Sequence, residues 1–270
     1  MIRPVTVGLD RSPESRAAVR WAACEAVRRN VPLRVVHAGG HPYGDGMLRE
    51  AAEELAATHP GLAVTTDVAD APPAELLVAE AGRSELLALG SQGLSGLSGY
   101  VVGSVGQATL ARAKRPVVVV RESGRAPEVQ DPRPVVLGLA LRQGAADVTA
   151  FAVEAAQRGG TPLRAVHTWS YPPMYRYAPA AMDPACGAEI GAGEKHAVAA
   201  ALDPWREKAP GVEMAQEVVA GNAAQALVDA AAGACLLVIG RRTHQPACLG
   251  PTAFAVLHHA LCPVAVVPYE

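Results

Sequence analysis

Fifteen residues, GSQGLSGLSGYVVGS at 90–104, include five glycines and four serines. Such a stretch can surround an anion with backbone N–H groups and hydroxyls. Gly90, Gly93 and Gly103 are spaced G-x2-G-x9-G, and Ser104 follows directly. The apolar run Glu85 to Leu89 leads in, and the helix-like run Ser104 to Lys114 leads out. A strand, a glycine-rich turn and a helix start are how α/β proteins make a phosphate site. At the helix start Ser104 can offer both its N–H and its hydroxyl, and the helix dipole adds about 0.3–2 kcal/mol. Each hydrogen bond to a charged phosphate contributes about 1.5–3 kcal/mol. A few of them reach micromolar affinity, around −8 kcal/mol, without a lysine clamp. Two other phosphate loops are excluded. A Walker A loop needs G-K-[ST], and no lysine precedes Ser104. A dinucleotide fingerprint follows the first strand of its unit, whereas this loop follows the fourth.

Asp10 closes the first strand-like run, where an open α/β sheet places its ligands. Its carboxylate can accept from ribose hydroxyls, help to hold a metal, or cap the following helix. His37 ends the second strand, and a histidine recurs at the same place later in the chain, which favours a structural role. No catalytic constellation accompanies these residues. Ser104 lacks a histidine at relay spacing, and the adjacent His258 and His259 face different sides of a helix. The five cysteines are scattered without a CxxC, as expected of buried thiols in a reducing compartment. The reading is a binding protein rather than an enzyme, with slow catalysis, or an interaction scaffold that binds no nucleotide, as the alternatives.

The elements that must position these residues alternate along the chain. PVTVGLD at 4–10 reads as a strand. A helix follows to about Asn30, with Ala18, Val19, Ala22, Ala23, Ala26 and Val27 on one face. Then come strand 31–38, a mobile-looking GGHPYGDG, a helix from Met47 to Thr58, and strand LAVTTDVA. Helix Pro73 to Gly82, the glycine loop with its helix, and strand RPVVVVR complete the unit. Such alternation predicts a parallel sheet covered on both faces. Half of the 270 residues are hydrophobic and only 4% aromatic, which suits aliphatic cores of that kind. A net charge of −2 gives no footprint for nucleic acid or anionic membrane. No run of about 20 apolar residues and no signal-like h-region is present, so the expected compartment is the cytoplasm.

The unit is written twice. PVVLGLA at 134–140 repeats PVTVGLD, TPLRAVHT at 161–168 repeats VPLRVVHA, and CLLVIG at 235–240 repeats ELLALG at 85–90. Trp21 falls on Phe151, and His37 on His167. The expected division is 1–122, a charged and proline-containing linker at 123–133, and 134–270. An insertion follows His167, in TWSYPPMYRYAPAAMDPACG at 168–187. There Tyr171, Tyr175 and Tyr177 either carry a partner surface or belong to a variable loop. The second copy loses the chemistry of the first. Ala140 stands for Asp10, Thr243 for Gly93 and Pro251 for Ser104. Proline offers neither N–H nor hydroxyl. Losing two charge-assisted bonds, about 3–6 kcal/mol, leaves a half that does not hold phosphate. Arg241 and Arg242 read as a solvated pair on a surface loop.

Over its whole length the sequence resembles the universal stress protein family in its tandem form. Gly90, Gly93, Gly103 and Ser104 give the family's ATP motif, G-2x-G-9x-G-[S/T], in full. The resemblance implies two Rossmann-like (flavodoxin-like) α/β domains, each a five-stranded parallel sheet of order 3-2-1-4-5 with helices on both faces. It implies ATP, in family members often with Mg2+, with its phosphates on Gly93, Gly103, Ser104 and Val105. Asp10 would lie by the ribose and adenine, with Gly8 and the backbone of Ala38 nearby, and Gly90 and Gln92 would line the turn. Gln92 stands where the family often has histidine. The family's function is in stress responses rather than rapid catalysis. Its dimer edge is the fifth strand, so the resemblance implies that VVVV at 117–120 and VAVV at 264–267 pair within one chain, with further homodimerisation open.

Overall fold

Runs of Val, Leu and Ala bury the central strands on both faces, and the strands assemble into one sheet. The computed structural model describes residues 2–39, 43–93, 100–121, 133–141, 145–170, 184–243 and 248–270. The linker expected at 123–133, apart from Arg133, lies outside the described residues, as do Tyr171, Tyr175 and Tyr177.

The first half runs β1 (Val5–Gly8), α1 (Pro13–Arg29), β2 (Leu33–Ala38), α2 (Tyr43–Thr58), β3 (Val64–Ala69), α3 (Pro73–Arg83) and β4 (Leu86–Gly90). A small ribbon follows, β5 (Gln92–Gly93) with β6 (Tyr100–Val101), then α4 (Ser104–Arg112) and β7 (Val117–Val120). The second half repeats the order with β8 (Val135–Gly138), α5 (Ala146–Gly159), β9 (Leu163–Trp169), α6 (Pro184–Lys208) and β10 (Met214–Ala220). It ends with α7 (Ala223–Ala231), β11 (Leu236–Arg242), α8 (Pro251–His259) and β12 (Val264–Tyr269).

Local sequence explains the element ends. Ser12 caps α1 by accepting from Ser15 N–H at 3.1 Å, Pro13 opens the first turn, and Asn30 closes the helix in the left-handed region at φ 53°. Two details differ from the sequence reading. Val27 is 54% exposed, so the apolar stripe of α1 ends before the helix does. The segment read as mobile is in part helical, since α2 begins at Tyr43. A Cβ on Gly44 would come 2.8 Å from His37 Cδ2, so a glycine there lets α2 start against the end of β2.

The strand order is β10-β9-β8-β11-β12-β7-β4-β1-β2-β3 in one ten-stranded sheet. Each half is parallel and has the order 3-2-1-4-5, as the resemblance implied. The halves join through β7 and β12, which pair antiparallel with Val117 opposite Val266 and Val119 opposite Val264. Two apolar layers cover the sheet and cross this seam. One packs α1, α2, α5 and α6 through residues such as Ala18, Leu48, Ala152 and Leu202. The other packs α3, α4, α7 and α8 through Leu77, Leu110, Leu227 and Leu257. Because the halves run oppositely across the seam, their strand carboxyl ends lie at opposite edges of the sheet.

Candidate functional site

In the first half the strand order reverses between β1 and β4, with β2 on the far side of β1 and β7 beyond β4. The crevice at that reversal is where open α/β sheets take ligands. Gly8 ends β1 and leads to Asp10, Ala38 ends β2, and Gly90 ends β4. The chain then forms the ribbon in which Gln92 pairs with Val101 and Gly93 with Tyr100. It returns to Gly103, the N-cap of α4, at φ −58° and ψ 167°. The topology thus brings all nine residues singled out in the sequence to one edge of the sheet. Residues 94–99, the tip of the glycine stretch, lie outside those described.

Gly103 has no side chain with which to cap α4. The first intrahelical bond runs from Gln107 N–H to the Gly103 carbonyl at 2.9 Å. The N–H groups of Ser104, Val105 and Gly106 therefore have no acceptor within the helix. They sit at the positive end of its dipole, beside the exposed hydroxyl of Ser104. Among the described residues, a Cβ on Gly103 would meet nothing within 4 Å, and the φ of −58° puts no strain on the backbone. Gly90 is different, because its Cβ would lie 2.5 Å from backbone atoms of Glu14 and Ser15. Its role in the turn is close packing of β4 on the start of α1.

Asp10 is held in place by the chain that follows it. Its Oδ1 accepts from Ser12 N–H at 2.8 Å and from the Ser12 hydroxyl. Its backbone N–H donates to Ser15 Oγ at 3.1 Å. Ser12, not Asp10, is the residue that caps α1, so the capping alternative becomes one of orienting the cap. Burial alone would raise the Asp10 pKa. The hydrogen bonds from Ser12 and Ser15, with help from the His37 charge, outweigh it and hold the carboxyl below its ordinary range. His37 Nδ1 lies 2.8 Å from the Leu9 carbonyl, and His167 Nδ1 makes the same contact with Leu139 at 2.9 Å. Both histidines tie the second strand to the end of the first, the structural role that their repetition suggested. Ser12, Ser15 and Gly44 were missed in the sequence. The S-P-E-S turn was the signal available for the first two.

The second copy keeps the frame and changes the chemistry. Gly250 caps α8 at φ −66° and ψ 161°, nearly the conformation of Gly103. Pro251 follows it, so the first N–H of that helix is absent. Strand β11 runs on past the point where β4 stops, pairing Arg241 with Pro268 and Arg242 with Tyr269. Thr243 then donates through both N–H and hydroxyl to the Tyr269 carbonyl, at 2.9 and 3.2 Å. Residues that form the glycine ribbon in the first half are here spent on strand. Arg241 corrects its sequence reading. It is only 6% exposed and donates to the carbonyl of Ala113, at the C-cap of α4 in the other half. Burial pulls its pKa below that of a free guanidinium. Arg121, at the end of β7, makes the reciprocal bond to the Leu257 carbonyl in the last turn of α8. Arg242 is exposed, as expected. Over the changed site of the second half lies a cavity of about 730 Å3, bounded by Ala140, His167, Trp169, Glu194 and Leu227 among others.

Comparison with known proteins agrees with this architecture. The family model described as "Universal stress protein family" matches residues 1–121 and 132–268. The universal stress protein Rv2005c of Mycobacterium tuberculosis is 31% identical over 292 residues, spanning 97% of this chain and 96% of the relative. A universal stress protein of Mycolicibacterium smegmatis is 30% identical over 294 residues, with the same coverage. Among solved structures, a universal stress protein from Archaeoglobus fulgidus superposes with a TM-score of 0.64 at 18% identity, covering 98% of each chain. A functionally unknown protein, PA1789, from Pseudomonas aeruginosa reaches 0.70 at 15% identity, covering 99% of this chain and 93% of its own. These two likenesses describe the fold, and the family follows from the sequence matches. With a family match to both halves and relatives that align nearly end to end, the chain belongs to the universal stress protein family.

Proposed function

We propose that the first half binds ATP and that the protein works as a cytoplasmic nucleotide-responsive regulator, with nucleotide held in that half alone. One observation carries the reading: the uncapped start of α4, with Gly103, Ser104 and Val105, shares a sheet edge with the fixed carboxylate of Asp10. Phosphates would take the N–H groups and hydroxyl of the helix start, and ribose hydroxyls would donate to Asp10. Ala140 and Pro251 take both features from the second half.

Calorimetry on the native chain and on Gly103→Asp tests this. Among the described residues, a Cβ at position 103 meets nothing within 4 Å, and the carboxylate that it carries would repel phosphate. About one ATP per chain in the native protein and at least a hundredfold weaker binding in the variant are expected. Equal binding by both would refute the site.

A second reading, slow Mg2+-dependent hydrolysis, is favoured by the carboxylate of Asp10, which its hydrogen bonds hold ionised. Asp10 is the site residue that could hold the cation. Phosphate release above background that disappears in Asp10→Ala would support it, and release unchanged in that variant would end it.

A further inference from the structure

The cavity in the second half is not a collapsed remnant. At about 730 Å3 it falls in the range of small-molecule sites. Its walls are largely aliphatic, with Leu139, Ala140 and Leu227 among them, and Trp169 adds an aromatic surface where the first half has Gly39. A polar pair is built into the wall. His167 Nδ1 is fixed on the Leu139 carbonyl, which turns Nε2 to within 3.2 Å of Glu194 Oε2. Glu194 comes from α6, and its side chain is 32% exposed, leaving its other oxygen able to accept. What disfavours a polyanion here is the helix start and the strand beside it: Pro251 removes the first N–H of α8, and β11 runs on through the residues that form the ribbon in the first half. Arg242 also borders the cavity but is exposed, where water and salt screen its charge. Thr252, in the first turn of α8, supplies a hydroxyl as donor on the same cavity.

We propose that this cavity binds an uncharged, phosphate-free heteroaromatic molecule of about nucleoside size, anchored by the Glu194–His167 pair. A flat apolar body suits the aliphatic walls and Trp169, a ligand N–H or O–H meets Glu194, and a ligand acceptor meets Thr252. The second half has not lost a ligand site so much as exchanged a polyanion for a neutral ligand. This inference does not depend on whether the first half binds ATP.

The test uses the full chain carrying Gly103→Asp, Trp21→Phe and Trp205→Phe, so that the first-half site is disabled and Trp169, one of three tryptophans, is the only one left. Adenosine and uridine are titrated while Trp169 emission is followed, with ATP alongside. A saturable change with at least one nucleoside, about tenfold or more tighter than with ATP, is expected. Ala140→Phe should abolish the change by filling the cavity. Glu194→Gln, which preserves volume, should weaken it about fivefold, as for one ordinary hydrogen bond. Circular dichroism establishes that each variant is folded. No response to either nucleoside, ATP as tight as the nucleoside, or native-like binding by a folded Ala140→Phe would each overturn the proposal. Because Trp169 reports on the second half, failure here is distinct from failure of ATP binding in the calorimetry.

Discussion

A methyl group on Gly90 would press on the backbone of Glu14 and Ser15, whereas one on Gly103 would meet none of the described residues within 4 Å. One spacing therefore contains a glycine required by packing and another that packing does not explain. Gly90→Ala should lower stability by about 2 kcal/mol or more, because backbone cannot swing aside as a side chain can. Gly103→Ala should change stability by less than about 0.5 kcal/mol and still weaken ATP binding. Thermal unfolding of the two variants, set beside calorimetry, separates these roles. Asp10 gives a pH prediction. Its folded pKa lies below the ordinary 3.8, so its contribution to stability is complete above that value and is lost as pH falls through the folded one. Urea unfolding of native and Asp10→Asn proteins should show a gap that narrows between about pH 5 and pH 2. A constant gap would mean that the carboxylate is not held by Ser12 in solution.

Helices α4 and α8 each begin at a glycine N-cap in one half and end under an arginine from the other. A cation at a helix carboxyl end opposes the dipole's negative pole and satisfies a carbonyl that the helix leaves over. Arg241→Met should keep the packing of the stem but leave the Ala113 carbonyl without this partner. A loss of about 1.5–3 kcal/mol is expected in chemical denaturation, and ATP affinity in the first half should fall with it by a few-fold. Native ATP affinity in a destabilised Arg241→Met would show that the two ends of α4 are uncoupled. This contact was not legible in the sequence. An arginine pair in a polar loop has the composition of a solvated surface, and only the extension of β11 puts Arg241 inside. The start of α2 was hidden in a related way, since Gly44 and Gly46 lower helix propensity and the reason for Gly44 is its contact with His37. Where period and cap agreed, as at the Asn30 end of α1, the boundary was read to the residue.

At the scale of the molecule, alternating strands and helices and the 130-residue repeat made two parallel α/β units readable, while strand order and seam came from the family resemblance. The cavity of the second half was not readable, because replacing Asp10, Gly93 and Ser104 by Ala140, Thr243 and Pro251 reads as loss. Volume depends on how α6 and α7 stand off the sheet, which no local pattern encodes. The seam itself is testable. Ala265 is fully buried opposite Val118, and Ala265→Asp would place an unpaired charge there. Several kcal/mol should be lost, with both halves unfolding in one transition because the apolar layers cross the seam. Unfolding of the second half alone, with ATP binding retained, would show the halves to be independent.

That seam also has a consequence in time. Strand β7 is synthesised well before β12, the strand that covers it. At about 5–20 residues per second the wait is roughly seven to thirty seconds. Throughout it the first half, otherwise able to fold, presents a row of four valines with an open edge, the form of surface most prone to pair with a neighbouring chain. The hazardous species for this protein is thus the nascent chain rather than the finished one, and a ribosome stalled anywhere in the second half would prolong it.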